Sequence, residues 1–155
     1  MNYYFKTKIN NYFFTIVEED NFITYITLDD LEIDGNFKKS ELIAKTINEL
    51  EEYFKGLRTR FDIPVKFQGT EFQKMVWQEM MNIPYGRVLS YGELAKKVNN
   101  PKAVRAIGSV CHNNKILIII PCHRVVAKNS IGGFGCGVEM KIKLLELENI
   151  KYERK

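Results

Sequence analysis

A cysteine and a histidine are adjacent at Cys122 and His123, with Arg124 next, directly after an apolar run over residues 116–120 and one proline. Cysteine reacts as the thiolate, and nearby cations, a histidine or a helix N-terminus lower the pKa of a thiol. Pro121 can open a helical turn whose free N–H groups would add to this effect. Adjacent side chains do not point at each other, so His123 would act on Cys122 through a water molecule. The segment predicts a nucleophilic thiol.

Two simpler interpretations fit the same residues. Cys122 could be a small buried residue and His123 a surface one, which is the commoner case for an isolated Cys-His pair. A metal site would need convergent ligands, yet His112 and His123 each directly follow a cysteine, and no C-x-x-C or H-x-x-x-H spacing occurs. We therefore expect no metal site. Cys111 is expected to pack in a helix and Cys136 to lie in a loop.

The residues before this segment carry signals for three short helices. Two of the helices open with the S/T-x-x-E/Q spacing of a capping box, and the third with an Asn N-cap followed by Pro at the first helical position. The residues that form these caps are Thr70 with Gln73, Ser90 with Glu93, and Asn100 with Pro101.

The third of these helices, ending near residue 112, is amphipathic. It leaves Arg105 and Ser109 on the polar side. Two short helices joined by a turn predict a helix-turn-helix, a motif that also occurs purely for packing. The inward residues are expected to be Ala103, Val104, Ile107 and Val110.

The first half predicts a small α/β unit. Segments rich in Tyr, Phe, Ile, Thr and Val are separated by polar breaks, which is typical of a short antiparallel sheet. Ser40 can then cap a helix over 41–55, and Gly56 follows where a left-handed C-terminal cap would lie. Residues 57–66, with no clear period, are the expected linker. The strand segments are 3–9, 11–18 and 21–28.

Composition and charge narrow the function classes. The 155 residues are 45% hydrophobic, which excludes a disordered chain, and no apolar run approaches the roughly 20 residues of a membrane helix. Three cysteines and a start without the layout of a signal peptide predict a cytoplasmic protein. Residues 1–66 hold 9 basic and 12 acidic residues, and residues 67–155 hold 14 and 7. A basic second half fits a polyanionic partner and, about equally well, an ordinary solvated surface.

The second half resembles the O6-alkylguanine-DNA alkyltransferases, also called methylated-DNA–protein-cysteine methyltransferases. The first half is consistent with the variable α/β domain of that family but would not identify it. The motifs that carry the resemblance are GTEFQKMVW at 69–77, IPYGRVLSYGELA at 83–95, NPKAVRAIG at 100–108, IPCHRVV at 120–126 and GGFGCGVEMKIKLLELE at 132–148.

The resemblance implies a fold and a function. The fold would be a ribonuclease-H-like α/β domain over 1–66 and a mostly helical, winged-helix-like DNA-binding domain over 67–155. The function would be direct, irreversible and stoichiometric transfer of the alkyl group from O6-alkylguanine in double-stranded DNA to a cysteine, without cofactor. Such a protein flips the damaged base and binds the minor groove through its helix-turn-helix. We expect a monomer with no obligatory protein partner and no membrane association.

The family resemblance also implies roles for individual residues. Cys122 would accept the alkyl group, His123 would relay the thiol proton through water, and Glu148 would orient the imidazole. Asn114 would brace the turn that carries the cysteine. Tyr91 would hydrogen-bond the flipped guanine and help to protonate the leaving base.

Other implied contacts concern the DNA and the guanine. Arg105 would enter the duplex and fill the gap left by the flipped nucleotide, with Ala106 and Ser109 also contacting DNA. The carbonyl oxygens of the alkyl acceptor and of Val125 would receive the guanine amino group. The loop around Gly135 would supply a backbone donor toward O6.

The sequence departs from the family pattern at three places. Lys115 follows Asn114 where relatives usually have proline, and Gly135 stands where relatives often have serine. Residues 1–66 contain no Cys or His, so the zinc cluster of some relatives has no ligands here.

Three rival functions are weighed against alkyl transfer. Alkyltransferase-like proteins that only flag lesions replace the nucleophile, whereas Cys122 is retained. A helix-turn-helix regulator would leave the Pro-Cys-His segment unexplained. A Cys-His hydrolase has no recognisable oxyanion-hole motif in this chain.

Overall fold

The computed structural model describes residues 2–128, 130–133 and 137–151. The chain divides into two compact units: Met1–Gln68 with Lys115–Leu117, and Gly69–Asn114 with Ile118–Lys155. The first boundary lies two residues after the one expected from the sequence. The assignment of residues 115–117 to the first unit was not expected.

The first unit contains a four-stranded sheet in the order β3-β2-β1-β4. The first three strands form antiparallel hairpins, and β4 pairs parallel to β1. Two-residue turns at 10–11 and 20–21 have φ between 49° and 70°, a conformation that Asn and Asp tolerate and that matches the twist of a hairpin. The predicted antiparallel sheet is confirmed. Its strands are β1 Asn2–Ile9, β2 Tyr12–Glu19, β3 Phe22–Thr27 and β4 Asn36–Phe37.

Helix α1, Glu41–Phe54, packs its buried face on this sheet. The Ser40 hydroxyl accepts a hydrogen bond from the Ile43 N–H, as the predicted cap requires. Gly56 follows the helix with a φ of +74°, the left-handed conformation that glycine adopts without strain.

The outer edge of β3 pairs with two distant segments. The Ile26 N–H donates to the Lys115 carbonyl and the Leu117 N–H donates to the Ile26 carbonyl, both at 2.9 Å. We call Lys115–Leu117 the strap. Val65, in the expected linker, pairs with Ile23 on the same edge. The strap covers an edge that would otherwise expose unpaired backbone groups.

The second unit consists mainly of four helices with a two-stranded parallel ribbon. Both predicted capping boxes are confirmed, since each Ser or Thr hydroxyl and each Glu or Gln side chain makes its reciprocal hydrogen bond. The elements are α2 Glu71–Met80, β5 Leu89–Ser90, α3 Tyr91–Lys97, α4 Val104–His112, β6 Val125–Val126 and α5 Val138–Leu147.

The sequence mispredicts the residue at which α4 begins. Its N-cap is Ala103, without a side-chain cap, whereas Asn100 was expected there. The Asn100 carbonyl instead accepts from the Ala103 N–H at 3.0 Å and closes a separate turn before the helix. Val104 is therefore the first helical residue and is 42% exposed, not buried as expected. Ile107 is buried as predicted.

Within the described residues, we find no helix with the length and apolar character needed to cross a bilayer.

Candidate active site

Cys122 begins a single 3₁₀ turn, Cys122–Arg124, as the preceding proline predicted. The Arg124 N–H donates to the Pro121 carbonyl at 2.9 Å, which closes the turn. Cys122 is 3% exposed, so its sulfur is largely shielded from solvent. The five apolar residues before Pro121 are all buried and anchor the turn from behind.

Asn114 contacts the two residues on either side of Pro121. Its side-chain amide donates to the Ile120 carbonyl at 2.8 Å and to the Cys122 sulfur at 3.0 Å. A donor aimed at sulfur favours the thiolate over the thiol. Ile118, which lies between Asn114 and Ile120 in the chain, has a φ of 72°, an outlier for a β-branched residue and a conformation that costs about 1–3 kcal/mol. The surrounding buried contacts must hold it there.

His123 and Glu148 form a fully buried pair. The His123 Nε2 lies 2.6 Å from the Glu148 Oε2, and Glu148 is the residue at the C-terminal end of α5. The Gly86 N–H, from the turn before β5, donates to the other carboxylate oxygen at 3.2 Å. Three segments far apart in sequence thus meet at one carboxylate.

The charges of this pair follow from its surroundings. Burial raises the pKa of Glu148, but hydrogen bonds from His123 and Arg124 outweigh it and bring the pKa to about 2. Burial lowers the pKa of His123, against the opposing effect of Glu148. An ionised carboxylate can only accept, so Nε2 carries the proton and Nδ1 is the basic nitrogen of the imidazole. At neutral pH the pair is a carboxylate and a neutral histidine.

The sequence analysis did not assign Arg124 a place in this cluster. Its guanidinium donates to both Glu148 oxygens, at 2.8 and 3.1 Å, and to the Ile83 carbonyl at 2.7 Å. The sequence indicates Arg124 only as a cation two residues after the thiol. The fork geometry of arginine suits a carboxylate, and this contact keeps Glu148 ionised.

Tyr91 is the first residue of α3 and is half-buried. Burial raises the pKa of its phenol, and negative charge at Cys111 and Cys122 raises it further, so the group is a proton donor at neutral pH. A Cβ at Gly132 would lie 3.1 Å from the Tyr91 hydroxyl oxygen, and Gly132 has a φ of +77°. Glycine is required at this close approach.

The two carbonyls expected to receive a guanine amino group each have one partner already. The Cys122 carbonyl accepts from the Val125 N–H, and the Val125 carbonyl accepts from Lys141 Nζ at 2.6 Å. A carbonyl oxygen has two lone pairs and can accept two hydrogen bonds. The expected donor at Gly135, like Cys136, lies outside the described residues.

Lys141 was missed entirely by the sequence analysis. It lies on α5 with its side chain fully buried, and Nζ donates to the Val125 and Gly133 carbonyls. Burial lowers its pKa to about 8, while negative charge at Cys122 and Cys111 opposes this effect. A lysine in an amphipathic helix normally indicates a solvated face, so only its place among apolar residues could have signalled burial.

The remaining predicted residues lie on α4. Arg105, Ala106 and Ser109 are exposed, on a face that carries no bulky apolar side chain between them. Cys111 is buried on the same helix, as expected for a packing residue, and burial raises its pKa strongly. Among the described residues, no three His, Cys, Asp or Glu side chains are placed to hold a metal ion.

A buried Cys-His-Glu arrangement on a helical unit, preceded by a small sheet unit, defines the class of protein. Residues 71–150 match the family profile described as 6-O-methylguanine DNA methyltransferase, DNA binding domain. The constitutive methylated-DNA–protein-cysteine methyltransferase of Bacillus subtilis is 38% identical over the full length of both chains. The chain belongs to the O6-methylguanine DNA methyltransferase family.

Solved structures agree with this membership. The O6-methylguanine methyltransferase of Mycobacterium tuberculosis superimposes with a TM-score of 0.86 at 30% identity, covering 100% of this chain and 97% of that one. A second structure of that species, described as OGT in complex with DNA, gives a TM-score of 0.85 at 32% identity over 94% and 92% of the two chains.

Proposed function

We propose that this protein repairs DNA by transferring the alkyl group of O6-alkylguanine to the sulfur of Cys122, once per molecule. The observation that carries the proposal is the buried sulfur held by Asn114 on the turn that also presents His123 to Glu148. Family membership supports the same reaction class.

The first step would form the thiolate. The Cys122 proton passes to a water molecule and from that water to Nδ1 of His123, because Nε2 is already bound to Glu148. The carboxylate of Glu148 then stabilises the imidazolium. Asn114 stabilises the sulfur anion through its amide donor.

The second step would break the bond between the alkyl carbon and O6. The O6 atom of a paired guanine lies inside the stack, so the nucleotide must be flipped into the pocket before the thiolate attacks in line. The sulfur–carbon bond forms as the carbon–oxygen bond breaks, and the electron pair stays on guanine. Tyr91 donates a proton to the departing base and is reprotonated from His123, so the thiol proton ends on guanine.

The product would be a thioether, which water does not cleave. No oxyanion forms at a saturated carbon, so the site needs no oxyanion hole. Each protein molecule would therefore act once and remain alkylated.

The exposed face of α4 would bind the duplex. Ala106 and Ser109 are small enough to allow close approach to the minor groove, and Arg105 can enter the stack in place of the flipped nucleotide. The structure of the Mycobacterium tuberculosis relative, described as a complex with DNA, supports this partner.

We also propose that the units are ribonuclease-H-like and winged-helix-like domains over 1–66 and 67–155, in a cytoplasmic monomer.

The test is transfer of radiolabel from duplex DNA that contains labelled O6-methylguanine. We expect label on Cys122 up to one equivalent per protein and no more when substrate is in excess. Cys122→Ser should accept none, whereas Cys111→Ser, which removes a second buried thiol among the described residues, should accept label like the parent. Continued turnover would contradict the mechanism, and tight binding without transfer would favour a lesion-flagging protein.

A further inference from the structure

Tyr85 lies on the turn that contacts Glu148, and the steps proposed above give it no role. The Arg87 N–H donates to the Pro84 carbonyl at 3.1 Å, and Gly86 has a φ of +80°. A hydrogen bond from the fourth residue to the first, with a positive φ at the third, is typical of a type II turn. The turn therefore fixes the backbone of Tyr85 and of Gly86, whose N–H donates to a Glu148 oxygen at 3.2 Å.

The Tyr85 side chain reaches the end of α5 through its hydroxyl, which donates to the Leu147 carbonyl at 3.1 Å. Leu147 is the last residue of α5, and the last four carbonyl groups of a helix have no partner inside the helix. The tyrosine thus supplies a donor to the peptide group that joins Leu147 to Glu148.

The helix ends directly after Glu148. Asn149 has a φ of 66°, and its N–H donates to the Glu146 carbonyl at 2.9 Å. The Ile150 N–H donates to the Leu145 carbonyl at 2.8 Å. These bonds form a Schellman motif. The backbone of Glu148 is therefore held on both sides, by this motif after it and by the tyrosine hydroxyl at the peptide group before it.

The ring of Tyr85 lies beside the cation of the same cluster. The Arg124 Cζ is 5.7 Å from the centre of the ring, a distance at which a ring face attracts a guanidinium. Burial and the charge of Glu148 raise the pKa of the Tyr85 phenol, while Arg124 opposes them, so the phenol is a neutral donor at neutral pH. One side chain thus contacts both the helix end that carries the carboxylate and the arginine that binds it.

We infer that Tyr85 is a positioning residue for alkyl transfer: its hydroxyl fixes the helix end that carries Glu148, and through that carboxylate it fixes the His123 imidazole. The inference rests on the proposed function for its meaning. A shift of the helix end would lengthen the 2.6 Å contact between Glu148 Oε2 and His123 Nε2. Misplacement of a catalytic group by about 1 Å can lower a rate by about 10²-fold.

The experiment follows the proton on Nε2 of His123 by NMR in Tyr85→Phe, which removes the hydroxyl and keeps the ring. The proton of a short hydrogen bond resonates far downfield, so a longer contact with Glu148 should shift this resonance upfield. The other histidine, His112, is exposed on α4 and serves as an internal reference. The single-turnover rate with free O6-benzylguanine should fall about fivefold, a part of the roughly 10²–10⁴-fold that a positioned acid–base group contributes.

Ile142→Val is the matched control. Ile142 is buried on α5, and the loss of one carbon from a buried side chain lowers stability without removing the Tyr85 hydroxyl. Both variants are compared in the folded state, as judged by the fluorescence of the single tryptophan, Trp77. The control should leave the resonance and the rate at the parent values.

An unchanged His123 resonance in Tyr85→Phe would overturn the inference. An equal shift in Ile142→Val would also overturn it, because any loss of stability in α5 would then move the proton. The resonance is recorded without an alkylated substrate, so its outcome is independent of the outcome of label transfer.

Discussion

Both units bury carboxylates, but the partners of those carboxylates lie in different kinds of segment. In the first unit, Glu18 accepts from the Ser40 hydroxyl, and Glu49 accepts from the Asp62 N–H at 2.8 Å and pairs with the Arg58 guanidinium at 3.5 Å. These partners belong to a helix cap and a loop. In the second unit, Glu148 binds His123 and Arg124 within the turn that carries Cys122. The buried carboxylates of the first unit hold a helix cap and a loop in place, whereas Glu148 contacts the turn that carries the nucleophile.

This difference indicates that the buried carboxylates of the first unit contribute to stability alone, whereas Glu148 also contributes to the reaction at Cys122. A buried carboxylate is costly in either unit and must be paired. Among these pairing groups, only those of the second unit include a histidine and lie on the turn that carries a cysteine. Substitutions of matched residues in the two units can therefore test whether this separation is real.

The largest effect is expected from Glu148→Gln. Removing the charge leaves the Arg124 guanidinium buried without its counter-ion, and breaking such a pair costs about 3–5 kcal/mol of folding free energy. Loss of the acid–base function should slow alkyl transfer by about 10²-fold or more. Urea unfolding and the single-turnover rate measure the two effects.

Glu49→Gln is the matched control in the first unit. It should lower the stability and leave the alkyl-transfer rate of the folded protein unchanged. An equal loss of rate in both variants would show that the two units are not separated in this way.

A smaller and more selective effect is expected from Arg105→Ala. Without a side chain to fill the gap in the duplex, repair of O6-methylguanine in DNA should fall about tenfold or more, while the reaction with free O6-benzylguanine should not change. Rates measured with the two substrates give the comparison.

Arg60→Ala removes an exposed arginine from the first unit instead and should change neither rate. Equal losses of rate on both substrates in Arg105→Ala would refute the role of Arg105 in the duplex.

The affinity of the parent protein for duplex DNA should fall as the salt concentration rises, because phosphate contacts release counterions.

The smallest effect is expected from the helix caps Ser40 and Ser90. Each hydroxyl accepts from a backbone N–H of its helix, and replacing such a cap with alanine costs about 1 kcal/mol. Ser40→Ala should change stability alone, and by more than Ser90→Ala does, because it also removes the hydrogen bond to the buried Glu18 carboxylate. Ser90→Ala should also lower the alkyl-transfer rate, because Tyr91 is the next residue. Unfolding curves measure the stability of each variant, and single-turnover experiments measure its alkyl-transfer rate. Equal alkyl-transfer rates in the two variants would contradict the expected difference between the two units.

The elements that the sequence predicted well are those with local signals. The three strands, the Ser40 cap and both capping boxes depend on residues within four positions of one another. The start of α4 was mispredicted for the same reason: Asn100-Pro101 is a valid local signal, but a turn over 100–103 takes its place. A local sequence pattern cannot decide between two local structures when both satisfy the backbone hydrogen bonds.

Contacts between distant residues escaped prediction. The strap pairs with β3 across about ninety residues, and no periodicity marks such a pairing. The burial of Lys141 and the contact of Arg124 with Glu148 likewise depend on packing. The segment itself indicated Cys122 and His123, and the family resemblance implied Asn114 and Glu148. The structure brings those four residues together.

The most direct measurement is intact-protein mass spectrometry after incubation with a duplex that contains one O6-methylguanine. The parent protein should gain the mass of a single methyl group in place of a hydrogen, on the peptide that contains Cys122, while the DNA returns to unmodified guanine. Repair of the duplex at the parent rate by Cys122→Ser, or a methyl group found on another residue, would contradict the central claim.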